Sequence, residues 1–544
     1  MSENKKKKSI VRSGLILSLM TFASRIMGLI REMTKASFLG TSMYADAFTT
    51  AFMLPNLFRR LFAENAVSAA FIPTFKRYLE KGDSDENKKS TQDFINATFT
   101  LVTFLTTCVV LIGIIAAPLI TYAFCKKPTD TTAFDYALQL ESFFLKKGEI
   151  TILTRVLFPY LIVISIAALF QGILNGCKIF APSGFTPVLF NGIIIAATYI
   201  FSPYTANPAR AMSIGVIIGG CVQALFQWPF LHKTGWKICF TSLKNAFTNP
   251  GTRKVIALVI PTIVGIAAYQ LNDTVSTALA NRAGEGITSS LQYSIRIQEL
   301  ILGIFAVSIG TVILPDLSGL ANNQKWDEFN KILIQAIKIM SLISIPVTIY
   351  ALLTGKELIS LLYKGKSFDD NSVSLTLGVF KYHISGLLFI ALNRIITPAF
   401  YAQGNSKLPT FAGIISFVTN IILAIVLAIP MKGNGIALAL SLSCFINTVF
   451  LFIFMKKMNS IDVKKVIHDT VLYCIKMLIY SVIAAVPCYF VHKAMLGVFA
   501  DYGKLISCGL PVLISAIVFG AVGVLELVIT KDEIISVILH KVKK

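Results

Sequence analysis

The sequence predicts an all-α integral membrane protein of about fourteen transmembrane helices: two pseudo-symmetric six-helix lobes around a central cavity, plus two extra C-terminal helices. Three observations support this fold class. Of the 544 residues, 55% are hydrophobic and 14% are charged, whereas a soluble domain carries about 25% charged residues. Long stretches without charge recur along the chain, as at 98–117, 213–230 and 414–429. Finally, a faint internal repeat relates the two halves.

The number of helices follows from the apolar stretches. A transmembrane helix needs about twenty apolar residues. Fourteen stretches qualify, near 12–38, 44–72, 93–123, 154–175, 184–203, 210–231, 254–281, 288–318, 331–354, 373–402, 409–429, 433–455, 468–492 and 506–530. The first one mimics a signal peptide, but it has no small-residue cleavage site and it contains Arg25 and Arg31. We therefore expect it to be a retained first helix.

The charge distribution predicts topology. The net charge is +22, and the loops assigned to the inside hold about twice as many Lys and Arg residues as the outside loops. This bias predicts that both termini are cytoplasmic and that the basic loops contact membrane lipids. We expect no nucleic-acid partner, because the sequence contains no basic–aromatic module of the kind that binds nucleic acid.

The repeat sets the domain boundaries. Residues 172–196 resemble residues 398–424, with Asn191 and Asn420 at similar places, and a weaker similarity links 64–75 to 304–317. The spacing is six spans, so both halves keep the same orientation in the membrane. This predicts an N-terminal lobe over 1–231, a C-terminal lobe over 232–456 and two further helices over 457–544. Chance similarity between apolar sequences is the alternative.

Four arginines lie within predicted spans: Arg25, Arg31, Arg59 and Arg296. A charge at bilayer depth costs from about 3 kcal/mol on insertion scales to over 10 kcal/mol in simulations, so such residues face a hydrated cavity or a partner. Four charges of one sign predict a cavity for an anion. Because arginine binds phosphate through two parallel hydrogen bonds, the predicted ligand carries a phosphate or diphosphate.

Other charges surround these arginines and support the same cavity: Glu32, Asp46, Arg60, Glu64 and Glu299. Their helical spacing predicts two pairs, Arg60 with Glu64 and Arg296 with Glu299. In the alternative interpretation, the charges neutralise one another and hold helices together.

Two further residues of these spans carry predictions. Pro55 predicts a broken, bent helix near residues 51–54. Asp273 is a candidate sodium or proton site, with a hydrogen bond between helices as the alternative.

Catalysis has little support in the sequence. The five histidines and nine cysteines are scattered, and there is no HExxH, GxSxG, P-loop or CxxC motif. We therefore predict no catalytic residue, no organic cofactor, no cysteine metal site and no enzymatic activity.

Several motifs together resemble one family. These are SRIMGLIRE (24–32), ADAF (45–48), LPNLFRRLFAENAVSAAFIP (54–73) and Arg296-x-x-Glu299. They resemble the MurJ (MviN) lipid II flippases, of the superfamily of multidrug, oligosaccharidyl-lipid and polysaccharide exporters. The resemblance implies alternating-access transport of lipid II, an undecaprenyl-diphosphate-linked muropeptide. This peptidoglycan precursor would move from the inner to the outer leaflet of the bacterial cytoplasmic (inner) membrane, for cell wall biogenesis and cell shape.

The resemblance also implies roles for residues. It places Arg25, Arg31, Arg59 and Arg296 on the family's cavity arginines, with Asp46 and Glu64 on acidic positions and Glu32 where an aspartate is usual. It implies that the last two helices form a groove for the lipid tail. Coupling to sodium or protons, with Asp273 as the candidate ligand, and to the membrane potential would follow, and the peptidoglycan synthesis machinery is an expected partner.

Three alternatives stay open on the sequence alone. The first is an exporter of another polyprenyl-diphosphate oligosaccharide, or a multidrug exporter of the same superfamily. The second is an intramembrane glycosyl or acyl transferase. The third is a structural scaffold, which would rarely keep unpaired charge at mid-bilayer.

Overall fold

The computed structural model describes residues 2–64, 70–82, 84–128, 135–458 and 461–534, with side chains described outside 2–18, 62–64, 261–269 and 304–312. Across these ranges the regular structure is helical and contains no strand, which confirms the predicted all-α class. Contacts between residues divide the chain into two compact units, 1–288 and 289–544. The predicted lobes 1–231 and 232–456 and the C-terminal helices 457–544 use other boundaries, and they stay a prediction.

The first unit contains ten helices among its described residues. They are α1 (Ser2–Leu39), α2 (Met43–Phe58), α3 (Ile72–Leu79), α4 (Asp85–Phe124), α5 (Tyr136–Leu157), α6 (Tyr160–Gly176), α7 (Ala181–Phe201), α8 (Pro208–His232), α9 (Leu243–Thr248) and α10 (Pro250–Ala283). A π-helical segment, Arg59–Glu64, follows α2 directly.

The second unit has nine helices in its described part, the first of which begins two residues before the boundary. They are α11 (Ile287–Asn322), α12 (Trp326–Tyr363), α13 (Asp370–Ser385), α14 (Leu387–Ala402), α15 (Lys407–Met431), α16 (Gly433–Met455), α17 (Val463–Val498), α18 (Lys504–Ser507) and α19 (Gly509–Ile529). Residues 373–402, predicted as one span, form two helices that meet at Gly386.

Short polar residues start several of these helices. The Ser84 side chain accepts a hydrogen bond from the Asn87 amide at the start of α4, and Asp85 and Glu86 follow in the first turn. Asn207 does the same for α8, directly before Pro208. These side chains pair amide groups that have no partner within the helix, and the acids of α4 also suit its dipole.

Helices within each unit approach closely where glycine replaces a larger side chain. A Cβ atom on Gly215 of α8 would lie 2.8 Å from the Ala197 Cβ atom of α7, and one on Gly219 would lie 2.9 Å from the Phe190 ring. The two glycines are four residues apart and share one face of α8. This small-residue spacing is typical of packed membrane helices.

By length and composition, ten of the described helices or directly consecutive helix pairs are long and apolar enough to cross a membrane. They correspond to ten of the fourteen predicted stretches. The remaining four stretches coincide with α1, with α2 and the π-helical segment, with α10 and with α11, and they carry the predicted charged residues. The predicted count of fourteen stays a prediction.

Candidate functional site

Arg31, near the C-terminal end of α1, belongs to a largely buried network of charges. Its Nη2 atom lies 2.7 Å from Glu32 Oε1, and its Nη1 atom donates to Asn191 Oδ1 of α7 at 3.1 Å. The other Glu32 oxygen lies 3.4 Å from Lys35 Nζ, which also donates to Thr49 of α2. The side chains of Arg31 and Glu32 are 16% and 5% exposed. The network fixes the position of Arg31 and ties α1 to α2 and α7.

Arg25 lies six residues earlier on α1, and its side chain is half-buried. It makes no hydrogen bond or ion pair with the described residues. One position before it, the Ser24 carbonyl accepts a bond from Asn191 Nδ2 at 3.5 Å. The single Asn191 amide therefore binds α1 beside both arginines. Asn191 was predicted only as a repeat position, and its polar side chain in an apolar helix was the signal for this role.

Arg59 begins the π-helical segment, and its Nε atom donates to Asn56 Oδ1 at 3.0 Å. The structure corrects the prediction for Pro55: residues 51–54 are regular α-helix, and the departure from α geometry comes after the proline, at 59–64. Proline removes one hydrogen bond to the preceding turn, which a membrane helix tolerates when its neighbours compensate. Wider π turns are frequent at functional sites.

Arg60 contacts α10. Its Nη1 atom donates to Gln270 Oε1 at 3.2 Å and lies 3.8 Å from Asp273 Oδ2. The side chains of Arg60 and Asp273 are 42% and 54% exposed, so water screens this pair. The pairing predicted between Arg60 and Glu64 lies outside the described residues, because the Glu64 side chain is not among them.

Asp46, on α2, takes part in a separate set of contacts and is fully buried. Its Oδ2 atom accepts from the backbone amide of Gly286 at 2.8 Å and lies 3.4 Å from Lys146 Nζ of α5. Lys146 also donates to the Asn281 carbonyl at 3.3 Å. This carboxylate therefore joins α2 to α5 and to the turn after α10, and its predicted place among the cavity charges stays a prediction.

In the second unit, Arg296 and Glu299 pair one turn apart on α11. The Nη1 atom of Arg296 lies 2.7 Å from Glu299 Oε2, and the side chains are 37% and 51% exposed. The pairing predicted from their spacing is confirmed. With its amide oxygen turned towards Arg296, Gln292 accepts a further bond from Nε at 3.2 Å. Glu299 and Gln292 lie on the same helix as Arg296.

Asp273, the predicted sodium or proton site, lies 3.8 Å from the Arg60 guanidinium. No group of three or more His, Cys, Asp or Glu side chains that could hold a metal occurs among the described residues. The contact with Arg60 is an ion pair at 3.8 Å, longer than a hydrogen bond, so the predicted hydrogen bond between helices and the predicted ion coupling both stay predictions.

Two buried polar clusters escaped prediction. In the first unit, Arg210 of α8 donates from Nε and Nη2 to the two carboxylate oxygens of Glu149, at 3.0 and 2.8 Å. In the second unit, His492 Nε2 lies 3.3 Å from Glu357 Oε2, and its Nδ1 lies 3.2 Å from Ser515 Oγ. Each cluster joins separate helices, so no spacing within one helix reveals it.

Comparison with known proteins identifies the family. Residues 35–505 match the family described as lipid II flippase MurJ. A probable lipid II flippase MurJ of Treponema pallidum is 45% identical over 531 residues, 97% of each chain. The chain belongs to the MurJ family. The predicted family is thus confirmed, and the protein is a multi-pass membrane protein.

Two further comparisons extend this result. A probable MurJ of Vibrio cholerae is 33% identical over 448 residues, 82% of each chain. Among solved structures, a lipid II flippase MurJ in an inward closed conformation superposes with a TM-score of 0.74 at 24% identity, covering 94% of this chain and 99% of that one. An inward-facing multidrug transporter of the MATE family gives 0.63 at 14% identity, covering 83% and 99%. These two structures support the fold.

Proposed function

We propose that the protein is a lipid II flippase, a transporter and not an enzyme, that moves lipid II from the inner to the outer leaflet of the cytoplasmic membrane for cell wall synthesis. The observation that carries this proposal is the 45% identity to a probable lipid II flippase across 97% of both chains. The transferase alternative loses its support because the family transports lipid II.

The chemistry of the site suits such a substrate. Lipid II carries a diphosphate between its headgroup and its lipid tail, and guanidinium groups bind phosphate oxygens through paired hydrogen bonds. Arg25 and Arg31 are half-buried on one helix. Asn191 donates to the Ser24 carbonyl next to Arg25 and accepts from the Arg31 side chain, so it positions α1 at both arginines. We assign diphosphate binding to Arg25, Arg31 and Arg59, and Arg296 of the second unit is the fourth predicted contact.

Glu32 has a positioning role in this proposal. Its carboxylate lies 2.7 Å from Arg31 and 3.4 Å from Lys35, so it offsets part of a charge that would otherwise be costly to bury. The diphosphate then competes with Glu32 for Arg31. Binding of this kind is reversible, which a transporter needs because it must release its substrate on the far side.

The proposed topology follows the sequence predictions. Fourteen transmembrane helices span the membrane, both termini are cytoplasmic, and the last two helices, within 457–544, form the groove for the polyprenyl tail. An inside-negative potential favours outward movement of an anionic headgroup by about 2.3 kcal/mol per charge per 100 mV. Transport by alternating access exposes the headgroup to each side in turn.

Complementation tests this proposal. Bacterial cells depleted of their own lipid II flippase receive the wild-type gene, R25K, R31K or R59K, with expression checked in membranes. We expect rescue by the wild type and loss with the lysine variants, because lysine keeps the charge but not the planar fork. The matched control is R77K, an exposed arginine of α3. Failure of a well-expressed wild type, in hosts that make the same precursor, would contradict the proposal.

A further inference from the structure

A basic segment connects α8 to α10 and lies against α4. This segment, residues 233–254, is called the basic strap here. It contains five basic residues and no acidic one: Lys233, Lys237, Lys244, Arg253 and Lys254. It also presents three apolar side chains to the surroundings, with exposures of 67% for Phe240, 46% for Leu243 and 42% for Phe247. Basic and exposed aromatic side chains thus occur together in one short segment.

Side chains of α4 hold the first part of the basic strap in an extended conformation. The amides of Lys237, Cys239 and Thr241 donate to Gln92 Oε1, Asn96 Oδ1 and Thr100 Oγ1 at 3.0, 3.1 and 2.9 Å. Alternate strap residues therefore pair with every fourth residue of the helix.

The paired residues are spaced equally along α4 and along the basic strap. Four helical residues rise about 6 Å, and two extended residues span about 6.6 Å. Side chains of α4 therefore accept hydrogen bonds from the strap amides as a neighbouring strand would. The strap is held in place without a bound partner.

Further contacts hold the rest of the basic strap in place. Arg253 Nε donates to the Phe247 carbonyl at 3.3 Å, and the Thr252 hydroxyl donates to the Ala246 carbonyl at 2.7 Å. Gly251 packs tightly on α4, because a Cβ atom there would lie 2.2 Å from the Phe94 ring. These contacts hold α9 with Leu243 and Phe247 outward.

The apolar side chains of the basic strap continue the exposed apolar surface of α4. The Phe240 ring lies 4.8 Å from the Phe99 ring, and the Phe247 ring lies 6.1 Å from the Phe104 ring. Phe104 begins a series of exposed apolar residues along α4, a helix long and apolar enough to span the membrane. Phe240 and Phe247 therefore lie at the boundary where this exposed apolar surface of α4 starts.

The lysines of the strap lie next to this boundary and are exposed. In the described part of the chain, Lys237, Lys244 and Lys254 have no carboxylate partner. Basic residues beside a membrane interface attract anionic lipids with about 1 kcal/mol each, which is about fivefold in affinity. Aromatic side chains at the same level anchor the segment in the interface.

We propose that the basic strap is a binding surface for anionic phospholipid headgroups at the membrane interface. Lys237, Lys244 and Lys254 bind the phosphate-bearing headgroups, and Phe240 and Phe247 insert among the upper parts of the acyl chains. An acidic soluble protein is disfavoured as the occupant, because the exposed rings are continuous with the bilayer-facing surface of α4. The proposal goes beyond lipid II transport and does not depend on it.

Native mass spectrometry of the full-length protein, titrated with phosphatidylglycerol or phosphatidylcholine, tests this inference. We expect the wild type to bind phosphatidylglycerol at least about tenfold more tightly than phosphatidylcholine, since more than one lysine contributes about fivefold. The variant K237Q/K244Q/K254Q should reduce this preference to less than about threefold. The matched control K126Q/K127Q/K366Q removes the same charge from exposed lysines elsewhere and should keep the wild-type preference.

A second variant, F240A/F247A, tests the apolar part without changing charge. It should weaken retention of both lipids and keep the ratio between them. The melting temperature of each variant in detergent shows whether it is folded. Equal lipid preference in wild type and K237Q/K244Q/K254Q would overturn the proposal and would favour a protein partner for this surface. A wild type that does not prefer phosphatidylglycerol would have the same meaning.

Discussion

Two arginine–carboxylate contacts of the first unit differ in their surroundings. Arg31 and Glu32 lie 2.7 Å apart with 16% and 5% of their side chains exposed, whereas Arg60 and Asp273 lie 3.8 Å apart with 42% and 54% exposed. Water screens the second pair, and such pairs contribute about 0–1 kcal/mol. Removing one partner of a buried pair costs about 3–5 kcal/mol, because the other charge stays buried. The buried pair therefore fixes the Arg31 side chain in position, whereas the exposed pair restrains the Arg60 side chain only weakly.

The difference bears on function. The fixed position of Arg31 suits a residue that must meet a diphosphate in one geometry, since ordering before binding lowers the entropy lost on binding. Arg60 is held loosely and is better suited to a supporting role. Substitutions at four positions, Glu32, Asp46, Asn191 and Asp273, test this contrast.

Replacing Glu32 by Gln should have the largest effect. The substitution leaves Arg31 and Lys35 without their carboxylate, and we expect the free energy of unfolding to fall by about 3–5 kcal/mol. Equilibrium unfolding in detergent micelles measures this value. The matched control is E299Q, where the carboxylate is 51% exposed and the loss should stay below about 1 kcal/mol. Equal losses in the two variants would refute the contrast.

Replacing Asp46 by Asn should have an intermediate effect. The amide oxygen can still accept from the Gly286 backbone, but the charge that pairs with Lys146 is lost. We expect a loss of about 1.5–3 kcal/mol, the range for hydrogen bonds that involve charged groups, because Lys146 keeps the Asn281 carbonyl as an acceptor. The same unfolding assay measures it, and K146M should give a similar loss with little further loss in the double variant. Fully additive losses would show that the two residues act separately.

Replacing Asn191 by Ala should cost about 1 kcal/mol of stability for its bonds to α1. Its effect on transport should be larger than its effect on stability, because Arg31 loses one of its two orienting partners. Lipid II movement in proteoliposomes, compared with the melting temperature, separates the two effects. A transport rate equal to that of the wild type would argue against a positioning role for Asn191.

Replacing Asp273 by Asn should have the smallest effect, less than about 1 kcal/mol, because its pair with Arg60 is screened by water. Gln270 still accepts from Arg60 in this variant. Thermal unfolding checks the expectation. A loss as large as that of E32Q would contradict this expectation, because it would show that water does not screen the pair of Asp273 and Arg60.

Sequence reasoning succeeded where the partners lie within one helix or one motif. The i, i+3 spacing of Arg296 and Glu299 was enough to predict their contact, because helical geometry brings such residues together. The motif at residues 54–73, together with the shorter motifs, was also enough to identify the family. The all-α class followed from composition alone.

It failed where partners come from distant parts of the chain. Arg60 donates to Gln270, which lies 210 residues further on, and no spacing within one helix reveals such a contact. Asp46 binds a backbone amide, which no pattern of side chains reveals. For Pro55, the rule for proline predicted a disturbance about two turns too early, because the π-helical segment follows the proline at 59–64.

Diphosphate binding by Arg25 and Arg31 is tested by transbilayer movement of lipid II in proteoliposomes that contain the purified protein. We expect wild type and R77K to move lipid II at equal rates and R25K and R31K to be slower by at least about tenfold, a difference of about 1.4 kcal/mol in barrier height. All four proteins should insert and melt alike. Wild-type rates in both R25K and R31K would contradict the account, because they would show that these arginines do not bind the diphosphate.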